Sequence, residues 1–127
     1  MKPTVTIKNF DIETELQCRC GCGRYNYEDE FLIRAQAFRY LLNLSMTVTS
    51  GGRCVKHNKN VGGVDTSLHQ CETKKASAMD FTCSKLQYAY DLACKSGLFN
   101  EVILYKTKRF IHIGWDKNQK GFFYQIK

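Results

Sequence analysis

The chain has 127 residues, 43% of them hydrophobic and 24% charged, which fits one domain over 1–127 and leaves little room for a second. Eight Phe and seven Tyr supply material for a core, while a single proline and no biased tract exclude collagen-like or disordered architecture. Nineteen Lys and Arg against twelve Asp and Glu give a net charge of +7, which favours anionic partners: nucleic acid, acidic lipid or an anionic polymer. No apolar run is long enough for a membrane span, and no charged segment followed by an apolar stretch opens the chain as a signal peptide.

Residues 1–26 read as irregular, with short extended pieces and a Gly-rich stretch around Gly21 and Gly23. Phe31, Arg34/Ala35, Phe38, Leu41 and Leu42 then recur at spacings of three and four, the stripe of a helix over about Tyr27 to Leu44, with Glu28, Asp29 and Glu30 suited to its N-terminal end. Met46 to Thr49 reads as a short strand entering a turn at Ser50 to Arg53. Residues 54–75 have no period and read as a long loop, of the kind that is usually functional or mobile. Ala76 to Thr82 alternates as a strand, with Ala76, Ala78 and Asp80 on one face. Ser84 is placed to cap a second helix whose Leu86, Ala89, Tyr90 and Ala93 share a face, and Gly97 to end it. Val102 to Lys106, Arg109 to Trp115 and Phe122 to Ile126 complete a meander. Two helices against a small, mostly antiparallel sheet give an α+β fold.

Seven cysteines are many for this length, and their odd number excludes complete intramolecular pairing. With no secretory signal, reduced thiols are expected. Cys18, Cys20 and Cys22 alternate in C-R-C-G-C-G, unlike the C-x2-C pairs of zinc knuckles, and on a strand they would share one face. Buried thiols and occasional disulfides are the expectation there, ahead of a structural zinc. Two of the three histidines stand in chemically suggestive settings. His69 ends the long loop in T-S-L-H, and His112 lies mid-strand in R-F-I-H-I-G-W. With Asp80 they make a set of two imidazoles and a carboxylate, the donors of an open three-ligand zinc site. On spacing alone, a hydrogen-bonded core histidine is the simpler account of His112.

A longer pattern adds to this. S-G-G-R-C-V-K-H-N-K-N-V-G-G-V-D-T-S-L-H (Ser50 to His69), A-S-A-M-D-F (Ala76 to Phe81) and F-I-H-I (Phe110 to Ile113) resemble the zinc D-alanyl-D-alanine carboxypeptidases and phage L-alanyl-D-glutamate endopeptidases. The short phage-borne cell-wall peptidases are the nearest branch, and C-R-C-G-C-G before the first helix also resembles that branch. The resemblance implies zinc held at the sheet face by His69, Asp80 and His112. It implies Arg53 as the cation that recognises a substrate carboxylate or carbonyl, a task that suits a guanidinium, and Ser67 as a hydrogen-bonding partner of substrate backbone. His57 and Asn58 are expected to brace the long loop, and Gly62-Gly63 to supply positive φ or a close backbone approach.

The chain departs from the family pattern at three places. Ten residues separate His69 from Asp80, more than the pattern has, and the excess brings Cys71 and Glu72 near the site. Ala76 and Gly52 stand where Gly and Tyr are usual. The carboxylate that handles protons is displaced: Arg109 occupies the position three before His112, and Gly114 the position two after it. Asp116 is the nearest carboxylate and the first candidate for the catalytic acid, with Glu101, expected on the preceding loop, as the second.

The function implied is a zinc-dependent peptidase cleaving stem-peptide bonds of peptidoglycan, in the manner of a phage endolysin. The alternative is a zinc-containing binding module that has lost the acid, as in the Hedgehog signalling domain, whose ligand arrangement is similar. The expected partner is the peptidoglycan stem peptide, reached from the host cytoplasm by release to the periplasm or cell wall, or carried on a virion. The chain is expected to act as a monomer. A specific nucleic-acid partner is not expected, since neither a finger pattern nor a basic-aromatic run is present.

Overall fold

In a computed structural model, residues 2–127 are described. They form four helices, α1 (Ile12–Glu15), α2 (Asp29–Leu42), α3 (Val55–Asn60) and α4 (Leu86–Ser96), and five strands, β1 (Thr47–Ser50), β2 (Ala78–Thr82), β3 (Glu101–Tyr105), β4 (Phe110–Gly114) and β5 (Phe123–Ile126). The strands make one sheet in the order β1-β2-β4-β3-β5. This is an α+β fold, but the sheet is mixed rather than mostly antiparallel, and the meander stops short of the last strand. β4 already has β2 on one side and β3 on the other. The chain after it therefore crosses to the open edge of β3, where β5 pairs parallel. α1 and α3 are additional to the two helices expected; both are short and lie in segments read as irregular.

The two long helices follow their apolar stripes. α2 buries Phe31, Leu32, Ala35, Phe38 and Leu42, with Asp29 and Glu30 in its first turn, where they favour the positive end of the helix dipole. It ends at Asn43, which takes φ 52° and donates its N–H to the Arg39 carbonyl. α4 starts after Lys85 rather than on a Ser84 cap and stops at Gly97, whose φ of 70° suits glycine. Phe38 meets both Phe81 and Phe99, with ring centroids 6.1 and 5.6 Å apart. The strand that carries Asp80 begins at Ala78 rather than Ala76, which makes only an isolated bridge to Tyr27. The buried Tyr27 hydroxyl in turn donates to the Ala78 carbonyl at 2.7 Å.

Alternation along the strands gives the sheet two different faces. Val48, Met79, Phe81, Val102, Leu104, Ile111 and Ile113 point into one core cluster with the helices. The other face holds Asp80 opposite His112, with Ile103 opposite His112 on the far side and Glu101 opposite Gly114. A bulge between Val48 and Ser50 shifts β1 so that Ser50, rather than Thr49, stands across from Asp80. No described helix is long and apolar enough to cross a membrane.

Candidate metal centre

Cross-strand pairing brings Asp80 and His112 together, and the loop before β2 delivers His69 from above. The three donor atoms converge: His69 Nε2 lies 3.1 Å from Asp80 Oδ1 and 3.2 Å from His112 Nδ1, and His112 Nδ1 lies 3.0 Å from Asp80 Oδ1. All three residues are buried. Ligands held ~2.0–2.1 Å from a tetrahedral zinc sit roughly 3.3 Å from one another, so this triangle is the size a shared ion requires.

Each donor is oriented from behind by a second group. His69 Nδ1 faces the Gly51 carbonyl at 2.7 Å, so that nitrogen carries the proton and Nε2 presents a lone pair. His112 Nε2 contacts Glu101 Oε1, which leaves Nδ1 toward the cluster. Asp80 Oδ2 faces the Arg53 guanidinium, with Nη2 at 3.7 Å. The Gly51 contact depends on how tightly that turn packs: a Cβ on Gly51 would lie 2.5 Å from the Leu16 carbonyl oxygen.

The electrostatics show a demand for positive charge. Burial alone would raise the Asp80 carboxyl, but the His69 charge and hydrogen bonds from both imidazoles outweigh it and hold Asp80 well below the usual carboxylate range. Burial pulls His112 down, yet hydrogen bonds to Asp80 and Glu101 raise it to about 9. Burial opposes ionisation of Glu101 too, and the hydrogen bond and charge of His112 reverse that. For His69 burial prevails over Asp80, so its imidazole is held below its ordinary value. The Asp80 carboxylate and two inward-facing imidazole nitrogens thus surround one point, a setting that favours a bound cation. The donor set, N, N and O, fits zinc.

The other residues singled out by the sequence lie around the same point. Arg53 is zipped to the His69 segment by two backbone hydrogen bonds, its N–H to the His69 carbonyl and the Cys71 N–H to its own carbonyl. Its guanidinium donates to Ser50 Oγ and Asn58 Oδ1. Asn58 is buried and donates to the Val64 carbonyl, bracing the loop. Gly62 takes φ +80°, and Gly63 packs so closely that a Cβ would fall 2.1 Å from Asn58 Oδ1. Ser67 Oγ accepts the His69 N–H, which leaves its own hydrogen free to donate. Arg53, Ser67, His69, Asp80, Glu101, His112 and Asp116 all line one cleft of about 540 Å³. Cys71 and Glu72 stay out of the cluster: Cys71 is buried against Gly52, and Glu72 accepts the Val55 N–H. His57 lies on α3 and joins none of these contacts.

The two candidate acids are placed differently. Asp116 is a turn residue on the cleft rim, its Oδ1 accepting the Asn118 N–H and its backbone exchanging two hydrogen bonds with the Asn100 side chain. Glu101 begins β3 rather than lying on the loop before it, and it contacts His112 directly. Arg109, at the position where the pattern has an acid, is the left-handed residue of the β3–β4 turn with φ 60°. Its N–H closes that turn on the Tyr105 carbonyl. The hairpin register itself was a usable signal for Glu101. Pairing Tyr105 with Phe110 across the turn places Ile103 opposite His112 and Glu101 opposite Gly114.

Among curated proteins, none matches the chain. A family model described as Peptidase M15 matches residues 8–114, a span that takes in every residue of the His69, Asp80 and His112 cluster. M15 peptidases are zinc-dependent, and the donor set here is one that could hold such an ion. The match covers most of the 127 residues, and the chain belongs to the peptidase M15 family.

Proposed function

We propose that the protein is a zinc-dependent peptidase that cleaves stem-peptide bonds of peptidoglycan, with an endolysin-like role. The observation that carries this reading is the triangle of donor atoms at 3.0–3.2 Å, each oriented by its own outer partner, at the floor of a cleft. His69 Nε2, Asp80 Oδ1 and His112 Nδ1 would hold the ion. Bound there, zinc would supply Lewis acidity toward a scissile carbonyl and lower the pKa of a water toward ~7.

The chain's own groups account for the rest. Arg53, its guanidinium fixed by Ser50, Asn58 and Asp80, meets a carboxylate or carbonyl of the peptide on the cleft wall. Ser67 donates its hydroxyl hydrogen to substrate backbone. Glu101 takes the proton of the attacking water and returns it to the leaving nitrogen. Gly114 has no side chain, and Glu101 stands directly opposite it on the same sheet face. The carboxylate that relatives carry two residues after the last His is thereby supplied from the neighbouring strand. Asp116, on the same cleft, is the other carboxylate available for this step. A carboxylate on the cleft, beside His112, favours an enzyme over the binding module that keeps zinc without an acid. The net charge of +7 favours an anionic wall, through an attraction that salt weakens.

The test is release of new amino groups from purified peptidoglycan, with the metal removed by a chelator and then restored. Release that stops on chelation and returns with zinc is the expected result. Zinc retained with no release from walls of several bacteria would favour the binding module instead.

A further inference from the structure

Outside the cleft, a second group of side chains is gathered for no purpose that the peptidase reading uses. The sulfurs of Cys18, Cys20, Cys22 and Cys54 all lie within 4.8 Å of one another. Cys18 Sγ is 3.4 Å from Cys20 Sγ, and Cys20 Sγ is 3.6 Å from Cys54 Sγ. These separations are far longer than a disulfide bond, ~2.05 Å. They are close to the roughly 3.8 Å edge of a tetrahedron of sulfurs ~2.3 Å from zinc.

The backbone explains how alternate cysteines reach one point. On a strand they would stand in a row, but Gly21 and Gly23 take φ +88° and +78° and curl the segment into a turn. The turn is closed by hydrogen bonds from the Cys18 N–H to the Arg24 carbonyl and from the Gly21 N–H to the Cys18 carbonyl. The fourth cysteine comes from the residue after Arg53. Cys54 is the N-cap of α3, its sulfur accepting the His57 N–H at 3.3 Å, and its own N–H points at Cys18 Sγ, also at 3.3 Å. Backbone N–H groups aimed at sulfur are the outer partners that thiolate ligands take.

We propose that Cys18, Cys20, Cys22 and Cys54 form a second metal site, a structural zinc bound by four thiolates, that staples the N-terminal segment to the turn carrying Arg53. An all-sulfur donor set selects zinc over the hard divalent ions, and four protein ligands close the coordination, which suits a structural and not a catalytic site. On binding, each thiol gives up its proton to solvent and coordinates as the thiolate. The staple acts where the cleft is built: Leu16, just ahead of the cluster, accepts the Gly52 N–H, and Gly51 beside it holds His69 Nδ1.

The test uses the full chain, purified under reducing conditions, with metal content measured beside the absorption of the cobalt(II)-substituted protein. One zinc equivalent and intense thiolate-to-cobalt absorption are expected to survive in His112→Ala and to be lost in Cys20→Ser/Cys22→Ser. Cys20 and Cys22 are exposed, so their replacement leaves the core packing intact. In the unmodified protein, a thiol-directed mercurial should release that zinc equivalent to a chromophoric indicator. Four freely reactive thiols with no thiolate-to-cobalt band would overturn the proposal. So would thiols missing from the titration and recovered by reductant alone, the mark of disulfides. Because these readouts concern sulfur-bound metal, failure of the peptidase reading leaves them unchanged.

Discussion

Glu101→Gln separates the two tasks that the Glu101 carboxylate is given. Glutamine keeps an oxygen where Oε1 meets His112 Nε2, so the imidazole stays in place and its Nδ1 still faces the cluster. The negative charge beside the half-buried pair is lost. A charge-assisted hydrogen bond is roughly twice as strong as a neutral one, and outer-shell partners of a metal-bound histidine typically contribute 10–100-fold in affinity. We therefore expect zinc binding to weaken by about 10- to 100-fold, or ~1.4–2.7 kcal/mol, measured by competition with a chromophoric chelator. At saturating zinc, loss of the proton carrier should still leave kcat down by roughly 10²–10⁴-fold. Adding Gly114→Asp to this variant returns a carboxylate to the same face. The tightest contact of a Cβ there is the end of the Leu68 side chain at 2.9 Å, with the Ser77 carbonyl oxygen next at 3.4 Å, so partial recovery is expected once Leu68 moves. Full kcat in Glu101→Gln at saturating zinc, with a large loss in Asp116→Asn, would refute the assignment and give the step to Asp116.

Further expectations follow from single contacts. His69→Ala, Asp80→Ala and His112→Ala should each lose one zinc equivalent and melt earlier in zinc-containing buffer, because binding and folding are coupled; unchanged metal content in all three would remove the site. At saturating zinc, Arg53→Ala should raise KM with the metal still bound, though more weakly because Asp80 loses its outer partner; an unchanged KM would contradict its role in holding substrate. Gly51→Ala forces a Cβ toward the Leu16 backbone and should cost about 1–3 kcal/mol in denaturant unfolding, together with weaker zinc binding as the His69 Nδ1 contact shifts. Phe38→Ala, which empties the fully buried space between Phe81 and Phe99, should cost about 3–5 kcal/mol without altering the metal stoichiometry.

Much of the architecture is legible because periodicity reports burial. The Phe31–Phe38–Leu42 stripe fixes α2 to within a few residues, and the alternation around Asp80 and His112 separates core face from site face. What escapes the sequence is long-range. The mixed sheet follows from the pairing of β5 with β3, which neither strand's residues encode. α3 has too few residues to show a period, and it is set by Cys54 and the packing of Asn58. Asp80, His69 and His112 are recognisable from the pattern of residues around them, yet their convergence needs the β2–β4 register. Arg53 and His69 meet through a two-bond zipper between loops. The cysteine group is hidden for a simpler reason: alternate spacing reads as one face of a strand, and only the left-handed Gly21 and Gly23 turn it into a cluster.

The central claim is that His69, Asp80 and His112 hold a catalytic zinc. Diffraction from crystals of zinc-loaded, active protein, recorded on both sides of the zinc absorption edge, tests it most directly. The account predicts an anomalous peak ~2.0–2.1 Å from His69 Nε2, Asp80 Oδ1 and His112 Nδ1. Active, zinc-loaded crystals with no peak at that point would contradict it.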